Sequence, residues 1–276
     1  MRLEYGAPGS LRRAYARLCR LSKRKEALYY SFNADGSLTF AGEGSRNKQG
    51  NTYPCHFAGP SAHWLDINRG DYFDYLVSMG SNSRAYNQYA REIFGPNNRY
   101  ATEKFDMADI SNTMIRTKNG RSMHLINDTK LPRPYRHLYN LMGTNGLFEN
   151  QDSRVHIHGR SPGEWTVAGK REVARKFEPL SNYYKEFEHP LWRDMGERAK
   201  TSGHGGGDFL CCYRVIEALL TGTYPDVDVY DTVVWSSIVD LSEQSARNRS
   251  KPVDFPDFTR GLWKARKPLP IRGMSV

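Results

Sequence analysis

Between residues 111 and 158 apolar and polar positions alternate in short runs broken by turn residues. Ser111–Arg116 and Ser122–Asn127 flank Lys118-Asn119-Gly120-Arg121. Asn-Gly between two strand-like runs is a strong hairpin signal. Arg136–Met142 and Leu147–Glu149 flank a second turn, Gly143-Thr144-Asn145-Gly146, and Val155–His158 and Trp165–Val167 continue the strands. Strands joined by tight turns predict an antiparallel meander. Upstream, Ala27–Phe32 and Ser37–Phe40 read as short strands around a turn, and Gly42–Asn51 as a polar loop. Tyr53–Asp66 suits a short helix, Asp71–Met79 a buried strand, and Tyr86–Phe94 a helix closed by Gly95-Pro96-Asn97-Asn98.

The period then changes. In Phe209–Leu220 the residues Phe209, Cys212, Ile216 and Leu219 recur on one helical face, with Asp208 placed as N-cap. Val227–Ala246 is a second long helix whose start carries Asp226, Asp228 and Asp231, suited to the positive helix end. From Lys251 the chain is rich in proline and aromatics and reads as a surface tail. Strands first and helices late is an α+β pattern. Residues 26–276 are expected to form one domain with an extended C-terminal tail, and 1–25 a basic segment that is poorly ordered or foreign to that domain.

Charge sharpens that boundary. Of the net charge of +10, +7 falls in residues 1–25, where eight basic residues face Glu4 alone. The excess is therefore terminal rather than a nucleic-acid surface, with a basic arm for RNA or an acidic surface as the alternative for that segment. No apolar run approaches a bilayer span and no hydrophobic signal core follows Met1, so a cytoplasmic protein without membrane contact is expected. Cys19, Cys55, Cys211 and Cys212 include no CxxC pair, which predicts a reducing compartment and no structural zinc. His156 and His158 share a strand face but lack a neighbouring third ligand, so no metal is expected.

Candidate chemistry clusters in three places. Thr201-Ser202-Gly203-His204-Gly205-Gly206-Gly207-Asp208 sets one histidine in a nearly side-chain-free loop before a helix. Such a histidine can move protons near neutral pH, and the alternative is a plain anion nest at the helix start. Tyr53 and His56 lie three apart, sharing a face if the segment is helical, where they could bind hydroxyls or relay protons. The alternative is a hydrogen-bonded structural histidine beside an aromatic ring. Pro132-Arg133-Pro134-Tyr135 is a rigid corner ending in a phenol. No G-x-G-x-x-G follows a strand: Gly42-Glu43-Gly44-Ser45-Arg46-Asn47 ends in asparagine, and the Gly203 run lacks a preceding strand. Asp71 with Asp74, or Glu186 with Glu188, could pose as a glycosidase carboxylate pair, but their spacing alone carries almost no weight.

Tyr53-Pro54-Cys55-His56, the run 66–79 (DINRGDYFDYLVSM), Pro132-Arg133-Pro134-Tyr135, Gly203-His204-Gly205-Gly206 and the run 252–261 (PVDFPDFTRG) occur in one order. Together they resemble the C-terminal half of the NAD-dependent α-N-acetylgalactosaminidases, glycoside hydrolase family 109, within the glucose-fructose oxidoreductase / inositol dehydrogenase (Gfo/Idh/MocA) superfamily, over about residues 27–265. The resemblance implies an open, mostly antiparallel sheet with helices on one face. It also implies an N-terminal Rossmann domain that binds NAD and is absent here, so the chain is expected to be a truncated protein, inactive alone. It implies a sugar substrate and oxidation–elimination–addition–reduction chemistry, with His204, His56 and Tyr53 as catalytic candidates. Tyr53, His56, Tyr135 and His204 would contact the sugar, and the free sheet face would support a homo-oligomer. Two other readings stand beside it: the substrate domain of a sugar oxidoreductase, and a non-catalytic sugar-binding or oligomerisation module.

Overall fold

A computed structural model describes residues 11–19, 29–128, 130–131, 136–163 and 176–273. Nine strands form one sheet: β1 (Leu11–Cys19), β2 (Phe73–Gly80), β3 (Ser111–Thr117), β4 (Ser122–Asp128), β5 (Arg136–Gly143), β6 (Gly146–Glu149), β7 (Arg154–Ile157), β8 (Glu178–Pro179) and β9 (Val253–Asp254). Their order is β8-β7-β6-β5-β1-β4-β3-β2-β9. Among the described residues only β1 and β4 run parallel, and every other pair of strands is antiparallel.

Register shows why one face is the core. Leu76, Ile115 and Met123 stand opposite one another in β2–β4, and Leu141, Phe148 and Val155 do so in β5–β7. Side chains along a strand alternate faces, so one row is uniformly inward. Against it pack α2 (Cys55–Trp64) through Phe57, Ala58 and Ala62, and α7 (Val229–Arg247) through Val234, Trp235 and Ile238. The next row, Val77, Met114 and His124, points away, and Met79 and Met114 on that outer face are exposed. The sheet is thus open on one side, as expected.

The other helices are α1 (Phe40–Asn47), α3 (Ala85–Phe94), α4 (Tyr184–Phe187), α5 (Pro190–Ala199) and α6 (Gly207–Thr221). The middle of the chain and α7 follow the predicted pattern. Asp228 caps α7, accepting from the backbone of Tyr230 and Asp231 while Asp231 returns a bond to the Asp228 N–H. Among the described residues no helix is long and apolar enough to cross a membrane.

Four expectations are corrected. Within the segment expected to be poorly ordered, Leu11–Cys19 is β1, hydrogen-bonded to β4 on one side and β5 on the other. A strand so placed satisfies its backbone polar groups whatever charges it carries. Gly42–Asn51 is not a loop: Thr39 Oγ1 accepts from Gly42 N and starts α1. Gly42 lies so close to the Ser31 carbonyl that a Cβ would overlap it, so this glycine serves contact rather than flexibility. The Ala27–Phe32 and Ser37–Phe40 strands reduce, over the described residues, to a 3-10 turn at Tyr29–Ser31 and a single bridge between Phe32 and Leu38. Finally, Ile216 and Leu219 of the predicted apolar face of α6 are exposed, Leu219 at 77%, while Leu210, Glu217 and Ala218 are buried. Glu217 is buried because Arg214 and Tyr213 engage its carboxylate. Trp165–Val167 lies outside the described residues.

Candidate functional site

The approach to α2 is built on α7. Gly50 holds φ +76° and sits so tightly on that helix that a Cβ would come within 2.5 Å of Glu243 N and Ser242 Oγ. The next amide, Asn51 N, donates to Ser242 Oγ at 2.8 Å. Asn51 Oδ1 then accepts from Tyr53 N at 3.3 Å, closing an Asx-type turn that aims Tyr53 out of the surface. Gly50→Ala is expected to lower stability by about 1–3 kcal/mol, from the left-handed backbone and the overlap together. Urea unfolding reads this, and an unchanged midpoint would show that the turn does not depend on α7.

Tyr53 and His56 meet as their spacing predicts. Their rings stack at 4.5 Å between centroids with 27° between planes, and Tyr53 Oη lies 3.3 Å from His56 Nε2. Both are exposed at the start of α2. Beneath them Tyr139 Oη donates to the His56 carbonyl at 2.6 Å, and the Phe57 ring lies against His137 and Tyr139. Burial, with His56 adding to it, pushes the His137 imidazole below its ordinary value. His137 and Tyr139 were not singled out in the sequence. The available signal was their spacing: 135, 137 and 139 keep the period of a strand, so a candidate at 135 should draw in the next two. Tyr135 itself lies outside the described residues.

His204 stands in a 3-10 turn, His204–Gly206, between α5 and α6. Its side chain is 81% exposed and its Nδ1 lies 2.8 Å from Asp208 Oδ1. A carboxylate only accepts, so Nδ1 donates and Nε2 is left facing solvent as an acceptor when the ring is neutral. The neighbouring glycines have separate tasks. At Gly203 a Cβ would overlap the Asp208 carboxylate, and Gly206, at φ +102°, packs on Ala199 and Trp192. Asp208 is therefore not the N-cap; Gly206 occupies that position and Asp208 serves the imidazole instead. Among the described residues no hydrogen bond or ring contact joins His204 to Tyr53 or His56. The site residues thus form two separate pairs, Tyr53–His56 and His204–Asp208.

Neither glycine run forms a dinucleotide cradle. Gly42 and Gly44 lie inside α1 rather than in a strand-to-helix turn. The Gly203–Gly207 turn opens α6, but the Asp208 carboxylate occupies the space an anionic phosphate would need. NAD does not fit either glycine run.

Residues 28–265 match the family description "Glycosyl hydrolase 109, C-terminal domain". A glycosyl hydrolase family 109 protein from Solibacter usitatus is 41% identical over 86% of this chain and 52% of its own length. One from Shewanella woodyi is 40% identical over 82% and 48%. The chain thus spans about half the length of the curated relatives it matches. Among solved structures, a levoglucosan dehydrogenase in complex with NADH superposes with a TM-score of 0.57 at 16% identity, over 91% of this chain and 60% of the other. The same enzyme with NADH and levoglucosan gives 0.56 at 17%, over 92% and 61%. These likenesses show the fold alone, which this chain shares with the levoglucosan dehydrogenase over the matched residues. Fold, motif order and sequence agree: the chain belongs to glycosyl hydrolase family 109, of which it carries the C-terminal domain.

Proposed function

We propose that this chain is the substrate domain of an NAD-dependent glycosidase acting on α-N-acetylgalactosaminides by oxidation, elimination, addition of water and reduction. The observation that carries the reading is the stacked Tyr53–His56 pair, a phenol and an imidazole within reach of one proton at an open helix start. Hydride transfer to and from C3 belongs to a nucleotide-binding half elsewhere, a reading supported by the poor fit of a dinucleotide to either glycine run of this chain. This chain's own residues handle protons. With C3 a ketone, the C2 proton becomes acidic and passes to the Tyr53–His56 pair. The C1–O bond breaks and the leaving oxygen takes the Nε2 proton of His204 in its imidazolium form, which Asp208 orients through Nδ1. Water then adds at C1, giving a proton back to His204, and C2 is reprotonated from the Tyr53–His56 pair. The net change is hydrolysis of one glycosidic bond. Tyr135 contacts the sugar. We also propose a homo-oligomer through the open sheet face, where Met79 and Met114 are exposed.

The test supplies the purified chain with the nucleotide-binding half of a family 109 relative, NAD and 4-nitrophenyl α-N-acetylgalactosaminide. Release of nitrophenol is expected only when all are present, with deuterium entering C2 in heavy water. NADH accumulation on free sugars without nitrophenol would replace the reading with a sugar oxidoreductase. Saturable sugar binding without turnover would replace it with a non-catalytic module.

A further inference from the structure

A cleft of about 470 Å³ lies beyond the Tyr53–His56 pair, between α2, the start of α7, the α5–α6 pair and residues 269–272. Tyr53, His56 and His204 do not line it. Cys55, Gly59 and His63, one helical turn apart on α2, form one wall, with Trp235 and Pro270 among the others. A cleft of this volume, largely apolar with a few polar groups, has the dimensions of a small-molecule site.

Its polar groups are not all within reach. Trp235 is only 9% exposed, and its Nε1 and the Nε2 of His63 are sealed from solvent without a hydrogen-bond partner among the described residues, so they sit behind the cleft wall rather than on it. The two rings meet edge to face at 5.4 Å. His189 accepts the Leu191 N–H through Nδ1, so its neutral ring carries a hydrogen on Nε2. Burial pushes His63 and His189 below the ordinary histidine value, leaving the cleft's net charge to its arginines and aspartates.

Those charges are unevenly used. Arg69 is held by Asp231, and Arg214 forks onto Asp226. Arg272 is exposed and makes no hydrogen bond or ion pair with another described residue, although Asp226 senses it as a second cation. Two guanidiniums thus face the Asp226 carboxylate. Asp66 is the other carboxylate on the wall and marks the end an anionic head avoids. The His189 imidazole N–H and the exposed Arg272 guanidinium are donors. The geometry points to a ligand-binding cleft for a small organic anion, a carboxylate or phosphate monoester on a flat apolar body. The body would lie on the Trp235 and Pro270 wall, and the head would take Arg272. This assignment does not depend on the sugar chemistry proposed above.

The test titrates the chain with 2-naphthoate, 2-naphthyl phosphate and neutral 2-naphthamide. It follows the indole N–H signals of the five tryptophans by ¹⁵N–¹H correlation. Trp235→Phe identifies the Trp235 signal. At least one acid should shift it saturably with a Kd of about 1 mM or tighter, and whichever acid binds more tightly names the head group. The amide should bind about tenfold more weakly, since its head brings no charge to the donors. Arg272→Ala, on an exposed segment where folding is not at stake, should weaken the acid about tenfold and leave the amide unchanged. A Trp235 signal unmoved by all three probes, or equal affinity for acid and amide, overturns the assignment. So does an acid affinity that Arg272→Ala leaves intact.

Discussion

Asp231→Ala is expected to destabilise the chain by about 3–5 kcal/mol, because it strands a buried guanidinium. Arg69 and Asp231 are 4% and 1% exposed, and both guanidinium nitrogens reach the two carboxylate oxygens at 2.7 Å. Asn68 Nδ2 adds a third bond at 2.9 Å. The same carboxylate closes the capping box of α7, so its loss also frees the first turn of the helix that covers the sheet. Arg69 belongs to the tight turn 66–71, in which Asp66, Asn68 and Gly70 all hold positive φ. Losing its partner therefore also loosens the entry to β2. Removing both charges together, Arg69→Met with Asp231→Leu, should recover part of the loss, since an apolar pair carries no desolvation penalty. Urea midpoints with an unchanged m-value are the readout, and a cost below about 1 kcal/mol for Asp231→Ala would show that the pair is solvated. The pH dependence has a definite sign. Burial would push the Asp231 carboxyl up, but the bonds from Arg69 and Asn68 outweigh it and hold it below the usual range. A depressed carboxyl stabilises the fold above its unfolded value, about 3.9, and that contribution fades as pH falls through the folded value. The alanine variant should therefore lose less stability than the parent on acidification below about pH 4.

The same turn illustrates how far the sequence could be read. The aspartates at the start of α7 were visible as a helix N-terminus, because capping is local chemistry. That one of them reaches 162 residues back to Arg69 was not, because no local pattern encodes it. The hairpins of β3–β4 and β5–β6 follow the same rule: Asn-Gly and Thr-Asn-Gly turns fix register within a few residues. β1 breaks it, pairing in parallel with a strand more than a hundred residues away through backbone bonds that no side-chain pattern announces. The α6 stripe misled for a related reason. Periodicity shows that a helix has an apolar face, not that this chain covers it, and here the buried face belongs to Leu210 and a paired Glu217. The Tyr53–His56 pair was legible because a three-residue spacing suffices to build it, whereas His204–Asp208 was not, because an aspartate before a helix reads equally well as its N-cap. His137 and Tyr139 needed the strand's period, and their contact with α2 is tertiary.

His204→Ala, in the chain supplied with a nucleotide-binding half, is expected to lower kcat/KM by about 10²–10⁴, the range for loss of a general acid or base. The imidazole is largely exposed and, among the described residues, bonded only to Asp208, so its removal should leave the melting temperature in place. That combination separates chemistry from architecture: a structural histidine would move stability first. Asp208→Asn should retain a hydrogen bond at Nδ1 while no longer selecting one tautomer, and so should give a smaller loss than His204→Ala. The proton inventory divides the two pairs further. If Tyr53 and His56 serve C2 while His204 serves the leaving oxygen, His204→Ala should still exchange the C2 proton with deuterium while releasing little aglycone. Tyr53→Phe should suppress that exchange. Exchange lost in both variants to the same degree would mean that one site handles both protons, and the separation of the two pairs in the fold would then need a closure that brings them together. A kcat/KM within twofold of the parent for His204→Ala would remove the imidazole from the reaction and leave the Gly203–Gly207 turn as a structural cap for α6.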